Sequence, residues 1–303
     1  MTAARSPAEG NVPSPAPERV TIEADGLSFG ALTWGDPDSR LALLVHGYPD
    51  TAWTWRHLGP ELAANEWRAV APFTRGYHPT QLAPDDRYRL SDQAADLLAL
   101  RDALGGRKDS VVIGHDWGAT AAWTVNSQQP DSFARFVMMS VPPAAALATP
   151  LRSLRTAPML IRQLKMSWYM LFNQFPGSER TLGRLIPKLW RDWSPGYDAS
   201  EDLVHVFEAL PDLEHRRAAL RYYRDTLGPG FSELLSMNPK APVLYLHGKG
   251  DGCAQAKIAA LHSDQLPAGS EFREIAGAGH FLHLEQVRAV NSLIINWIDG
   301  TRS

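Results

Sequence analysis

The sequence predicts an α/β fold, a mostly parallel central sheet flanked by helices, and three observations point to it. Short apolar runs at Leu41 to Val45, Val111 to Ile113 and Val243 to Leu246 mark strands buried on both faces, as parallel sheets require. Stretches with helical spacing separate them, which is the alternation of βα units. From 145 to 232 the alternation stops and apolar residues recur at three and four, so the sheet carries a helical insertion after its sixth strand. The 303 residues divide into a disordered tail over 1–19, a first core part over 20–144, a helical cap over 145–232 and a second core part over 233–303.

Two short alternating segments, Val20 to Glu23 and Leu27 to Thr33, open the core. Ala24-Asp25-Gly26 joins them as a hairpin turn at the sheet edge. The run Leu41 to Val45 ends in His46-Gly47-Tyr48-Pro49, at the carboxyl end of a central strand, where open α/β sheets bind ligands. Helical spacing over Thr54 to Asn65 leads to a strand at Trp67 to Ala71 and a loop with Arg75-Gly76-Tyr77. A helix spans Ser91 to Leu104, with Ser91 and Asp92 as caps and Gly105-Gly106 as its stop. Val111 to Ile113 is followed by a helix over Gly118 to Gln129 and a strand from Phe133 to Val141, which Pro142-Pro143 ends.

In the insertion Trp168, Tyr169, Trp190, Trp193, Tyr222 and Tyr223 interleave with arginines, and packing accounts for most of these rings. The sheet resumes at Val243 to Leu246, ending in His247-Gly248-Lys249-Gly250-Asp251. Glu271 to Ile275 is the last strand. Gly277-Ala278-Gly279-His280 and a terminal helix from Leu284 to Ile298 close the chain.

Composition narrows the function classes. A net charge of -3 with no basic run argues against a nucleic-acid partner. A single cysteine, Cys253, forms no disulfide within the chain, and no Cys/His set has zinc spacing, so neither a metal nor a cofactor is expected. The first 18 residues, rich in Ala, Pro, Ser and Glu, lack the apolar core of a signal peptide. No apolar run approaches the ~20 residues of a membrane span, so the expected location is cytoplasmic.

The stretch Gly114-His115-Asp116-Trp117-Gly118 carries the most chemistry. Apolar strand residues run into a turn with small residues two before and two after the centre, and a helix follows at once. That pattern pushes the central side chain into the open. Here the centre is Asp116. A carboxylate with a reference pKa near ~4 is already an anion at neutral pH and suits attack on an electrophilic carbon, where a serine would need a base. The competing reading makes Asp116 a cap of the next helix.

Asp116, Asp251 and His280 stand at the carboxyl ends of three strands in the chain order nucleophile, acid, base. The acid would orient an imidazole that takes a proton from water. His283 competes with His280 for the base. His280 is preferred because it follows a loop of tiny residues at a strand end, whereas His283 opens a helix, where a solvated or core-edge role is expected. His115 is read as packing. Backbone donors for an oxyanion are expected from Trp117 and Tyr48.

Together, His46-Gly47-Tyr48-Pro49, Arg75-Gly76-Tyr77, Gly114-His115-Asp116-Trp117-Gly118 and Gly277-Ala278-Gly279-His280 resemble the α/β-hydrolase-fold epoxide hydrolases, with haloalkane dehalogenases as near relatives. The resemblance covers residues 20 to 300. It implies the α/β-hydrolase fold, an epoxide and water as substrates, and two cap tyrosines that hold and protonate the epoxide oxygen. The stretch Trp168 to Gly177 is similar to the segment carrying the first, matching at Tyr169. The stretch Arg221-Tyr222-Tyr223-Arg224 is similar to the segment carrying the second, matching at Tyr223, with Tyr222 as its competitor.

Trp117, Met170, Phe172 and Phe281 are expected to line a hydrophobic pocket, with Met159 and Met166 nearby. A dehalogenase would need a second indole or an asparagine as halide donor, and Tyr48 stands where one dehalogenase branch has that asparagine. A non-catalytic ligand-binding protein is the alternative from another class, and it need not keep Asp116, Asp251 and His280 together. A homodimer is compatible with the sequence.

Overall fold

The computed structural model describes residues 15–148, 156–228 and 230–300. The tail expected over 1–19 lies outside the described residues up to position 14, and Glu18 and Arg19 already belong to the first strand. Eight strands form one sheet: β1 Glu18–Ala24, β2 Leu27–Trp34, β3 Arg40–Val45, β4 Trp67–Pro72, β5 Val111–His115, β6 Arg135–Met139, β7 Val243–Gly248 and β8 Glu271–Ile275. Their spatial order is β1-β2-β4-β3-β5-β6-β7-β8. The hairpin β1–β2 and the β2–β4 pair are antiparallel, and every other pair is parallel. All residues of β5 and β7 are buried, because helices cover both faces of the middle of the sheet.

The core helices are α1 Leu58–Ala64, α2 Leu90–Ala103 and α3 Trp117–Gln128. Between β6 and β7 the described residues form helices only: α4 Ala145–Ala148, α5 Ala157–Met166, α6 Trp168–Phe172, α7 Leu182–Trp193, α8 Ser200–Ala209, α9 Leu213–Leu227 and α10 Phe231–Leu235. After β7 come α11 Ala256–His262, α12 Leu282–Glu285 and α13 Val287–Ile298. Among the described residues no helix is long and apolar enough to cross a membrane.

Several boundaries differ from the sequence reading, for local reasons. The helix expected over Thr54 to Asn65 is a 3-10 turn at Ala52–Trp55 and then α1, and the expected terminal helix is divided at Gln286 into α12 and α13. Helix α2 starts one residue early, with Arg89 at its N-cap. Asp92 still caps it, accepting from the Arg89 N–H at 2.9 Å, and Ser91 has no such role. Because β3, β5, β7 and β8 run parallel, the segments after them emerge on one edge of the sheet. That edge gathers the residues singled out above.

Candidate active site

Asp116 leaves β5 with φ at 53°, a conformation unusual for a non-glycine residue. The glycines beside it make the bend. A Cβ on Gly114 would lie 2.5 Å from the Gly118 carbonyl oxygen, and one on Gly118 would lie 2.2 Å from that of Val45. Strain of this kind costs on the order of 1–3 kcal/mol, and the surrounding packing holds it. The Asp116 side chain is 4% exposed, and its Oδ1 accepts from the Tyr48 N–H at 2.7 Å. The point a Cβ on Gly47 would occupy lies 2.3 Å from that Oδ1 and 2.6 Å from the Trp117 nitrogen. Glycine at 47 therefore keeps the space between the Asp116 carboxylate and the Trp117 amide clear, while the Tyr48 amide donates to Oδ1.

The other carboxylate oxygen faces His280, with Asp116 Oδ2 3.5 Å from the ring Nε2. That nitrogen has no hydrogen-bond partner, although it is buried. On the far side of the ring Nδ1 lies 3.0 Å from Asp251 Oδ2, so Nδ1–H donates to the carboxylate and Nε2 is left toward Asp116. Asp251 is held in turn. Its Oδ1 accepts from the amides of Cys253 at 2.6 Å and Ala254 at 3.0 Å, and His247 Nε2 stands 3.3 Å from Oδ2. Burial disfavours a charged imidazole, but the negative charge of Asp251, its hydrogen bond to Nδ1 and the Asp116 carboxylate facing Nε2 outweigh it and raise the His280 pKa to about 10. Burial works against the Asp251 anion too, yet His280 and His247 hold its carboxyl well below the usual carboxylate range.

A cavity with about 770 Å³ of empty space opens beside Asp116, lined among others by Trp117, Gln163, Tyr169, Met170, Tyr223 and Cys253. Tyr169 and Tyr223 meet edge to face there, their ring centroids 5.7 Å apart. The Tyr169 hydroxyl is 3.4 Å from Cys253 Sγ, and the Tyr223 hydroxyl has no hydrogen-bond partner although it is buried. Burial, with nearby charges on Asp116 and other groups, pushes both phenols well above their usual range, so both keep their protons. Tyr222 turns elsewhere, its hydroxyl donating to the Arg75 carbonyl at 2.7 Å.

Two expected pocket residues do not line this cavity. Phe281 is fully buried and stacks on Trp190 at 3.5 Å, and Phe172 packs its ring against Trp168 at 6.0 Å. Met159 and Met166 are also absent from the lining, whereas Met170 is part of it. The expectation of a solvated or core-edge His283 is corrected as well. It is 2% exposed, with its Nε2 2.5 Å from Thr54 Oγ1 and its ring against His115. His115 does more than pack, because its Nε2 donates to the His280 carbonyl at 3.0 Å and fixes the backbone of that loop.

Cys253, Gln163 and His247 escaped the sequence reading. The spacing of Gly250-Asp251-Gly252-Cys253 could have flagged Cys253, since a thiol two residues after the acid shares its loop. Gln163 and His247 leave no signal of that kind. Among the described residues, Asp116 with Cys253 and His280, and Asp50 with His115 and His283, bring ligand-type atoms within 4.8 Å of one another, and these are the groups that could hold a cation.

The alpha/beta hydrolase fold family model matches residues 43–287. The chain belongs to that family. This α/β hydrolase is similar to "Epoxide hydrolase A" of Mycobacterium tuberculosis, 26% identical over 94% of this chain and 98% of that protein. It is also 28% identical to "Epoxide hydrolase 4" of Mus musculus, over 91% of this chain and 77% of that one. Among solved structures, an epoxide hydrolase from Vigna radiata shares the fold with a TM-score of 0.76 at 23% identity, covering 94% of this chain and 99% of the other.

Proposed function

We propose that this protein is an epoxide hydrolase that opens a small hydrophobic epoxide to a vicinal diol through an ester of Asp116. The observation that carries the reading is Asp116 Oδ2 facing His280 Nε2 across 3.5 Å, with no hydrogen-bond partner for that nitrogen among the described residues, beside a cavity that two protonated phenols also line. The names of the similar proteins support it. Residues 145–232 act as the cap over core parts 20–144 and 233–303, and the enzyme works in the cytoplasm.

In the first half-reaction an Asp116 carboxylate oxygen attacks a ring carbon from the side opposite the epoxide oxygen. The carbon–oxygen bond breaks, and the developing alkoxide takes hydrogen bonds from Tyr169 and Tyr223 and a proton from one of them. Burial keeps both phenols protonated until that moment. The enzyme now holds a hydroxyalkyl ester whose carbonyl carbon belongs to Asp116. Esterification also removes a negative charge beside His280. With one of its two carboxylate partners neutralised, the imidazole gives up its proton more easily and can serve as a base.

In the second half-reaction His280, oriented by Asp251, takes a proton from water, and the hydroxide attacks that carbonyl carbon. The oxyanion forms on the oxygen that the Tyr48 amide faces, with the Trp117 amide as second donor. Collapse expels the diol. The proton that His280 gives up restores the phenol, one water proton passes through His280 to complete the diol, and the other, left on the Asp116 carboxyl, returns to His280.

His280→Gln separates the two halves. Ester formation should persist and hydrolysis should stop, so intact mass after mixing with styrene oxide should rise by the whole mass of the epoxide. Turnover of short haloalkanes without any turnover of epoxides by the native protein would sink the reading.

A further inference from the structure

The cap carries a surface that the reaction does not use. Ile161, Leu164, Trp168, Leu171 and Phe175 recur at spacings of three and four along α5, α6 and the turns that extend α6. Ser167 joins the two helices, its N–H donating to the Gln163 carbonyl at 2.9 Å, so the spacing stays in phase across the junction. That phase sets the five side chains on one stripe. All five are exposed, Leu171 and Phe175 by 69% and 65%. The same helices turn Gln163, Ser167, Tyr169 and Met170 to the cavity. The inner face is thus spoken for, and the outer apolar face meets solvent.

The charge in and beside this stripe is mostly positive. From Thr156 to Asp192 there are six arginines and lysines against two acids, on a chain whose net charge is -3. The six cations, Arg162, Lys165, Arg180, Arg184, Lys188 and Arg191, are all exposed. Of the two acids Glu179 is buried and bonded to Arg217 and Arg224, and Asp192 is exposed and pairs with Lys188, which leaves Arg162, Lys165, Arg180, Arg184 and Arg191 as the excess. The Lys188 ammonium lies 5.7 Å from the Trp168 ring, which joins the cationic fringe to the apolar stripe. An exposed apolar helix face rimmed by cations is the arrangement that settles at a lipid interface, with rings and branched chains among the acyl groups and cations among anionic headgroups.

We propose that the outer face of α5 and α6 docks the protein on an anionic lipid surface, which sets the cavity on the inner face of the same helices beside a reservoir of apolar molecules. Charge complementarity selects this occupant over a second copy of the chain, whose matching patch would carry the same excess of cations. The surface stands independently of the reaction proposed above, because docking is measured without any epoxide.

The test is co-sedimentation of the full chain with vesicles of phosphatidylglycerol and phosphatidylcholine in equal parts, against phosphatidylcholine alone, at low and high salt. Affinity for the anionic vesicles should be at least about tenfold higher and should fall as salt rises. Leu171→Glu with Phe175→Glu should reduce binding at least about tenfold while leaving the melting temperature unchanged, since neither side chain packs in the core. Arg184→Glu with Lys188→Glu, which removes charge and no apolar area, should lose the anionic preference. No binding of the native chain to anionic vesicles at low salt would overturn the proposal, and so would equal binding by the Leu171 and Phe175 variant. A dimer that this variant dissolves, with no vesicle binding, would give the face to a second copy instead.

Discussion

Two adjacent phenols have different fates in this protein. The Tyr222 hydroxyl is committed to the Arg75 carbonyl at 2.7 Å, whereas the Tyr223 hydroxyl sits by the cavity without a partner. Under the proposed mechanism Tyr223→Phe should slow ring opening by about 10²-fold with little change in substrate binding. Tyr222→Phe should instead cost about 1 kcal/mol of stability and leave ring opening largely intact. Rapid-mixing kinetics of ester formation, set beside thermal melts, separate the two, and the reverse pattern would exchange their roles. The sequence left this choice open because neighbouring side chains on a helix point about 100° apart and nothing in the chain fixes the helix's rotation toward the cavity. That Asp116, Asp251 and His280 come together was legible for the opposite reason, since sharp turns at strand ends restrict which residue can stand there. Phe172 and Phe281 were misplaced because an aromatic ring suits packing as well as it suits a pocket wall.

At the scale of elements, α7 ties the helical segment between β6 and β7 to the sheet edge that carries Asp251 and His280. Its last carbonyl, on Trp193, accepts from the amides of both Gly252 at 3.1 Å and His280 at 3.0 Å, one in the loop of Asp251 and one in the loop of His280. Ser194, next in line, accepts from the Phe281 N–H and donates to Glu285, which receives the Gly279 amide. The register of Asp251 against His280 therefore depends on the end of α7. A Cβ on Gly252 would lie 2.0 Å from the Asp192 carbonyl oxygen, a backbone atom that cannot swing aside. Under the proposed mechanism Gly252→Ala should push α7 from the Asp251 loop, cost about 1–3 kcal/mol of stability and slow ester hydrolysis more than ester formation. Single-turnover kinetics of the two half-reactions would show it, and unchanged hydrolysis would remove α7 from this role. The strands were readable in advance because burial on both faces writes a continuous apolar run. The breaks near His57 and at Gln286 were not, because they lie in helical patterns that carry no Gly or Pro at the break itself. The clamp on Trp193 was invisible in the sequence because a backbone acceptor has no side-chain signature.

For the whole molecule, the buried titratable groups set how stability varies with pH. Burial lowers the pKa of His46 to about 4 and of His115 to about 3, and holds that of His283 well below its usual value. Below the ordinary histidine pKa of about 6.5 the unfolded chain therefore binds protons that the fold refuses, and stability falls with falling pH. Asp50 acts with the opposite sign. Burial and the charge of Asp202 raise it to about 8, so its contribution declines as pH rises from the acid side. Asp96, which burial raises to about 6, has the same sign, and the two together offset up to two of the three histidines toward pH 5 and leave the acid limb falling. On the alkaline side His280 dominates. Its pKa of about 10 lies above the unfolded value, so its contribution is complete below about pH 6.5 and is lost as pH rises through about 10. The expected profile peaks near neutrality and falls on both sides. Urea unfolding near pH 5, 7 and 9.5 should give the highest stability at the middle value, and His280→Gln should flatten the limb between the upper two. Stability that climbs steadily to pH 9.5 would mean that the imidazole does not carry its proton between Asp116 and Asp251, and the charge relief proposed for the second half-reaction would fail with it.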